Sequence, residues 1–466
     1  MTARRFPAQL PIAIAATLPG TYLGAATYLG LPHPELAPPL AALVYGIAIV
    51  GAAFVLSWAA EAAQVDISAG LALAVLALLA VLPEYAVDFV FSWQAGQIYA
   101  AEGTCPPDEG GTTACALALA NMTGANRVLV GVGWPLVVGV ATFAVWHSRR
   151  HGGGDSATTH TGCVQMPRAL SAEVVFLGIA TLYSLTLPLR HTLTLVDAVV
   201  LVAIFCAYAW RLSKAPAQEP DLQGTSAWVG GLAKTRRRVT VGLLFLVAAL
   251  VILACAEHFA EGLVQTGEEL GVDPFILVQW VAPLASEAPE LIVACLFAWR
   301  LKAADSLGTL LSSKVNQWTL LVGTIPIVFA VSAGTTDGLP IDAQQRVELL
   351  LTAAQSLFAV SILITLALTT RGALALFVLF AVQFFASLLL DADADRILNI
   401  VLSGVYIALA AVEFVRHRHV LARTIRDGLR TPFDELQEAD EELTASDSSA
   451  ADGTGRERAA GDREQA

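Results

Sequence analysis

Apolar runs of about twenty residues recur from one end of this 466-residue chain to the other. As a helix, a run of that length spans the ~30 Å hydrocarbon core of a bilayer. Twelve can be counted, at about 10–30, 39–60, 68–93, 115–146, 169–189, 193–211, 238–263, 275–299, 307–333, 346–369, 372–391 and 396–416. The period-two alternation of a membrane barrel is absent. The chain is 56% hydrophobic and 14% charged, with a mean hydropathy of +0.64, whereas soluble domains carry about 25% charge. The sequence therefore predicts an all-α fold, a polytopic membrane protein of about twelve transmembrane helices embedded in the lipid bilayer. The run 115–146 is too long for one straight crossing and calls for a tilted or broken helix.

Basic residues set the orientation. Arg4, Arg5, Arg149, Arg150, Lys234, Arg236 to Arg238, Arg300, Lys302, Arg371 and the stretch from Arg416 to Arg426 all fall on one side of a twelve-span chain, the cytoplasm. Loops near Pro106–Gly111, Thr336–Asp342 and Asp391–Asp395 are acidic and fall opposite; Arg190 and Arg346 are minor exceptions. Both termini are expected inside, in a cell (plasma) membrane. The net charge of −13 is partly a tail effect: residues 431–466 hold eleven acids and three bases among Ser, Gly and Ala, which reads as a disordered acidic tail. No nucleic-acid patch is visible. Cys206, Cys255 and Cys295 read as packing residues. Cys105 and Cys115 flank a polar loop and can form a disulfide if that loop faces an oxidising compartment. Arg4 and Arg5 before the first run could mimic a signal peptide, but a retained helix is the preferred reading.

A short phrase then occurs twice. Leu82-Pro83-Glu84-Tyr85 and Ala288-Pro289-Glu290-Leu291 each set a carboxylate directly after a proline in mid-span. An ionisable group at that depth costs at least ~2.5–3.5 kcal/mol and normally lines an ion or substrate path. Proline frees the carbonyl four residues earlier, here Leu79 and Ala285. A freed carbonyl beside a carboxylate is a hard-oxygen site of the kind that suits calcium and sodium. A simple packing kink explains either copy alone; two copies in spans of opposite direction make an inverted-topology repeat, suited to alternating access.

Other groups gather around the phrase. Asp88 follows Glu84 by four residues and Glu287 precedes Glu290 by three, so each pair shares a helical face, unless the second acids reach toward the headgroups or pair elsewhere. Four buried carboxylates need a cation or protons to balance them. Arg127 and Lys314 are possible counter-charges, or pair elsewhere in the bundle. Asn121 and Asn126 lie on one small-residue helix; Ser312, Ser313, Asn316 and Gln317 lie on its counterpart, and Ser286 adjoins the acid phrase. Such groups either ligate a cation or join helices. His258 reads as interfacial. No GxxxxGK[ST] loop and no intramembrane serine–histidine pair appear, so neither ATP-driven pumping nor proteolysis has support and no enzyme or cofactor is expected.

With these residues the chain resembles the cation/calcium antiporter superfamily, which includes sodium/calcium and proton/calcium exchangers. That superfamily has two inverted repeats, each with a G-T-S-L-P-E-like phrase followed by a G-N-x-x-G-S-N-like phrase. The counterparts are Leu79–Glu84 with Ala120–Asn126, and Ala285–Glu290 with, more loosely, Ser312-Ser313-Lys314. The resemblance covers residues 40–391. It implies a ten-helix core, with segments 1–38 and 392–430 as an extra first helix and an extra last helix with a basic end. The repeats are 39–212 and 238–391, and the linker 213–237 is cytoplasmic. It implies Glu84 and Glu290 as central ligands and Ser286 as a third; the reading of the residues themselves adds Asp88, Glu287, Asn121, Asn126, Ser313, Asn316 and Gln317 as candidate ligands around them. The hydroxyls that help hold sodium map to Val81, Glu287, Ala125 and Ser313, so much of the first repeat's sodium shell is missing and protons become a serious candidate. The expected function is secondary antiport of calcium, or of sodium, against sodium or protons. The rivals are a dedicated sodium/proton exchanger and a non-transporting scaffold or sensor.

Overall fold

The computed structural model describes residues 7–66, 82–107, 113–150, 159–160, 162–216, 222 and 224–442. Almost all of this is helix. The first half comprises α1 (Gln9–Leu29), α2 (Pro38–Ala63), α3 (Leu82–Glu102), α4 (Ala114–Val128), α5 (Trp134–Arg150), α6 (Ser171–Ser184) and α7 (Leu195–Leu212). A short α8 (Gly224–Gly230) lies in the linker. The second half comprises α9 (Lys234–Leu270), α10 (Pro274–Trp299), α11 (Ala303–Asn316), α12 (Val322–Ala333), α13 (Ala343–Leu363) and α14 (Thr370–Leu389). Then come α15 (Ala392–Arg416) and α16 (Arg418–Leu429).

Among the described residues ten helical segments are long and apolar enough to cross a membrane, and α10, bent by 53° between Ala288 and Glu290, makes an eleventh. The expected span 68–93 begins outside the described residues, with Leu79 and Val81, and only α3 represents it. The long run 115–146 is broken as its length requires: a π turn at Leu129–Gly133 joins α4 to α5. Its counterpart, Gln317–Leu321, joins α11 to α12. Single π turns of this kind are frequent at functional sites.

The acidic loops have a local cause. Asp342 and Asp391 are N-caps, accepting from the backbone N–H of Gln345 (2.7 Å) and Ala394 (2.9 Å). Thr194 and Asp197 form a capping box at the head of α7. Each satisfies donors that a helix start leaves open. Two small antiparallel sheets join the halves: a three-stranded one in which β2 (Cys163–Gln165) pairs with both β1 (Thr159–His160) and β5 (Ala367–Thr369), and a two-stranded one of β3 (Thr192–Leu193) and β4 (Leu339–Pro340).

Long α2 and α9 pack along each other, with α1 laid against both. The approach is tight: a Cβ on Gly24 of α1 would lie 1.9 Å from the carbonyl oxygen of Ala254 on α9. The linker is held as well, since Arg237 donates to both carboxylate oxygens of Asp66 (2.7 and 2.9 Å). Cys105 and Cys115 are disulfide-bonded.

The tail departs from expectation near its start. Residues 433–442 are helical, with Phe433 and Leu436 buried. Arg211 donates to the carbonyls of Gly428 (2.9 Å), Asp427 (3.2 Å) and Thr431 (2.5 Å), and Asp440 accepts from the Arg168 N–H (2.8 Å). Phe433, under the Arg211 guanidinium, and Leu436 thus seat this segment together with its hydrogen bonds. The rest of the expected tail, 443–466, lies outside the described residues.

Candidate functional site

Helices α3, α4, α10 and α11 bring the two acid phrases together. Their close approach depends on Gly124 of α4, where a Cβ would stand 1.7 Å from the Gln279 carbonyl oxygen of α10. Glu84 and Glu287 are buried, and the carboxylate oxygens of Glu290 are shielded. The three carboxyls lie within electrostatic reach of one another. Ser286 faces Glu84 and Ser313 faces Glu290. The Ser286 hydroxyl donates to the carbonyls of Ala282 and Pro283, both at 3.3 Å, one turn back on α10.

The hydrogen bonds of these groups are uneven. Neither carboxylate oxygen of Glu84 or Glu290 has a protein partner, nor do Glu287 Oε2, Asp88 Oδ2, Asn121 Oδ1 and Gln317 Oε1. Glu287 Oε1 does accept, from Gln317 Nε2 at 2.6 Å, and Asp88 Oδ1 accepts from Asn121 Nδ2 at 2.7 Å. Unsatisfied buried acceptors are costly, and carboxyls crowded into one dry volume need neutralising by a cation or by protons. These oxygens are hard donors of the type calcium prefers. Among the described residues no three acid, histidine or cysteine groups close into a finished metal cage. The arrangement is an open one, with carboxyls from two helices facing each other.

The other sequence candidates divide. Asn316 accepts from the Tyr85 hydroxyl at 3.2 Å, tying α11 to the first acid phrase. Asn126 is turned to a different partner: its side-chain and backbone oxygens accept from Lys314 Nζ at 2.7 and 2.9 Å, and its amide donates to the Met122 carbonyl. Ser312 exchanges a 2.6 Å hydrogen bond with Tyr208. Lys314 is fully buried, close to Glu287 and over the Trp318 ring. Arg127 does not face the acids. It pairs with Glu348 of α13 at 2.6 Å and lies over the Trp280 ring. Its place on α4, on the far side from Ala125, dictates this. The central region therefore holds three mutually close carboxyls, with Asp88 one turn on from Glu84, and of the two basic residues only Lys314 lies beside them.

Glu348 and Tyr85 were not singled out by sequence reasoning. Glu348 forms an ion pair with Arg127 and accepts hydrogen bonds from Gln279 (3.0 Å) and from Asn399 (3.2 Å), joining α13 to α4, α10 and α15. The available signal was an acid inside an apolar span, the same signal that marked Glu84.

Against known proteins, the sodium/calcium exchanger protein family matches residues 38–214 and 240–389. The chain belongs to this family. Among solved structures it is similar to an H+/Ca2+ exchanger CAX, 40% identical, covering 91% of this chain and 97% of that one with a TM-score of 0.78. It shares its fold with native YfkE, at 13% identity and a TM-score of 0.54, over 82% of this chain and all of the other. A putative antiporter CaxA of Alkalimonas amylolytica is 27% identical over 96 residues; the match spans 20% of this chain and 30% of that protein's length. The protein is thus an integral membrane member of the calcium/cation exchangers, a transporter family rather than an enzyme family, acting on inorganic cations. Spans two to eleven of the sequence reading coincide with the family match, while α1 and α15 lie outside it.

Proposed function

We propose that this exchanger moves calcium out of the cell against an inward flow of protons, with Glu84 and Glu290 as a shared seat that calcium and protons occupy by turns. The observation that carries the reading is the pair of buried acids, each with both oxygens unpartnered and each within reach of the other. Calcium would take these oxygens with Ser286 and Ser313; protons would neutralise the same carboxyls once it leaves. Asp88 and Glu287, already tied by one oxygen each to Asn121 and Gln317, would tune the charge. Ala125 offers no hydroxyl where the family pattern has one for sodium. The 40% identity to an H+/Ca2+ exchanger over nearly the whole chain favours protons in the same way. The α2–α9 pair, with α1 against it, would slide or rock against the repeat core to expose the seat to one side and then the other. The basic-residue bias favours a cell membrane location with both termini cytoplasmic.

The test is calcium uptake into proteoliposomes under an imposed pH gradient, then under a sodium gradient. Proton-driven uptake that is lost in Glu84→Gln plus Glu290→Gln is expected. Uptake unchanged in the double variant would reject the seat; uptake driven by sodium alone would reject proton coupling. Sodium flux without calcium flux would favour a sodium/proton exchanger.

A further inference from the structure

Lys314 carries an inference of its own. The π turns Leu129–Gly133 and Gln317–Leu321 mark the same point in the two halves. Counting back three residues from each gives Asn126 and Lys314, which are 188 residues apart, the same offset as the turns. In the first half this position is an amide; in the second it is a lysine. The two side chains also touch: Lys314 Nζ donates to Asn126 Oδ1 at 2.7 Å and to the Asn126 carbonyl at 2.9 Å. Equivalent residues that touch each other lie on the pseudo-two-fold axis, as in any isologous contact. Lys314 therefore reaches across the axis into the space where a symmetric pair of amides would face each other.

A lysine head is a compact, single positive charge on a flexible stem. Carbonyl-type oxygens that surround such a head are also the oxygens that strip water from a monovalent metal ion. Glu287 lies within electrostatic reach and favours a positive charge at this position. Lys314 and both Asn126 oxygens belong to a fully buried region.

We propose that Lys314 is a tethered monovalent cation that takes the Asn126 oxygens and so denies that position to free sodium. The inference rests on the proton-coupled reading above and names the residue that sets it. Lys314 thus specifies the coupling ion by occupying a second seat beside the calcium seat.

The experiment uses the purified full chain. Lys314→Asn restores the amide pair; Lys314→Met keeps the bulk without the charge. Proteoliposomes receive calcium under a pH gradient with sodium chloride or choline chloride in the bath, and the thermal unfolding midpoint is read in detergent with the same two salts. The wild type is expected to be proton-driven and indifferent to the salt. In Lys314→Asn, sodium raises the unfolding midpoint and shifts proton-driven uptake by about tenfold, within the usual range of coupling between two sites. Lys314→Met stays sodium-blind, because its stem fills the space. A folded, sodium-indifferent Lys314→Asn overturns the proposal while leaving proton coupling intact. A wild type driven by sodium instead overturns the functional reading itself. If Lys314→Asn does not yield folded protein, Lys314→Gln presents the same amide on a longer stem and carries the same two outcomes.

Discussion

Helix α10 serves two buried polar clusters that contrast sharply. Near its start, Gln279 joins Arg127 and Asn399 around Glu348, so that both oxygens of that carboxylate receive donors. Past its bend, Glu290 faces Glu84 with no donor for any of their four oxygens. Both places set carboxylate oxygens inside the bundle; the difference is that those of Glu348 have donors and a paired guanidinium. A buried acid whose oxygens are all engaged holds helices together, and removing a partner leaves an uncompensated charge. A buried acid with none is stable only when something mobile neutralises it, which is how a carrier differs from a strut.

That contrast can be broken from either end. Glu348→Ala strands Arg127 and is expected to cost about 3–5 kcal/mol of stability, read as a large fall in the thermal unfolding midpoint; Arg127→Met with Glu348→Leu should recover much of it. The same midpoint should hardly move in Glu84→Gln, which breaks no hydrogen bond. Calcium transport by Glu84→Gln should instead fall by about 100-fold or more, near 2.7 kcal/mol. A Glu84→Gln variant that unfolds but transports would invert the assignment of the two clusters.

The glycine between the clusters sharpens the comparison. Gly124→Ala would push a methyl group into the Gln279 backbone. Overpacking of this kind costs about 1–3 kcal/mol, and because α4 and α10 serve both clusters, stability and transport should fall together. The smallest effect lies outside the membrane. The Arg237 guanidinium holds the Asp66 carboxyl below the usual carboxylate range. This ion pair therefore adds stability above the unfolded value of about 3.9, and the contribution disappears as pH falls through the lowered folded value. The midpoint difference between wild type and Asp66→Asn should be small, should shrink with added salt, and should vanish in acid.

The sequence made the class of fold legible because spanning a bilayer demands length and apolarity, and both are countable. It made Glu84 and Glu290 legible because a proline–acid phrase in mid-span is rare enough to be noticed twice. It did not reveal that Arg127 serves Glu348, because helical phase gives a direction but not the helix waiting there. Asn126 read as a candidate ligand, yet its oxygens are taken by Lys314 from the other half, a contact across 188 residues that no local pattern encodes. The π turns have no residue signature, and the docked segment 433–442 was hidden by its own acidity, which outweighed Phe433 and Leu436 in composition.

Proton release on calcium binding reaches the central claim most directly. Purified protein in weakly buffered detergent should acidify the medium as calcium is titrated in, Glu84→Gln plus Glu290→Gln should neither bind nor acidify, and wild-type protein should do so equally in sodium or choline. Calcium that binds without displacing protons, or that still binds the double variant, would contradict a seat shared by the two ions.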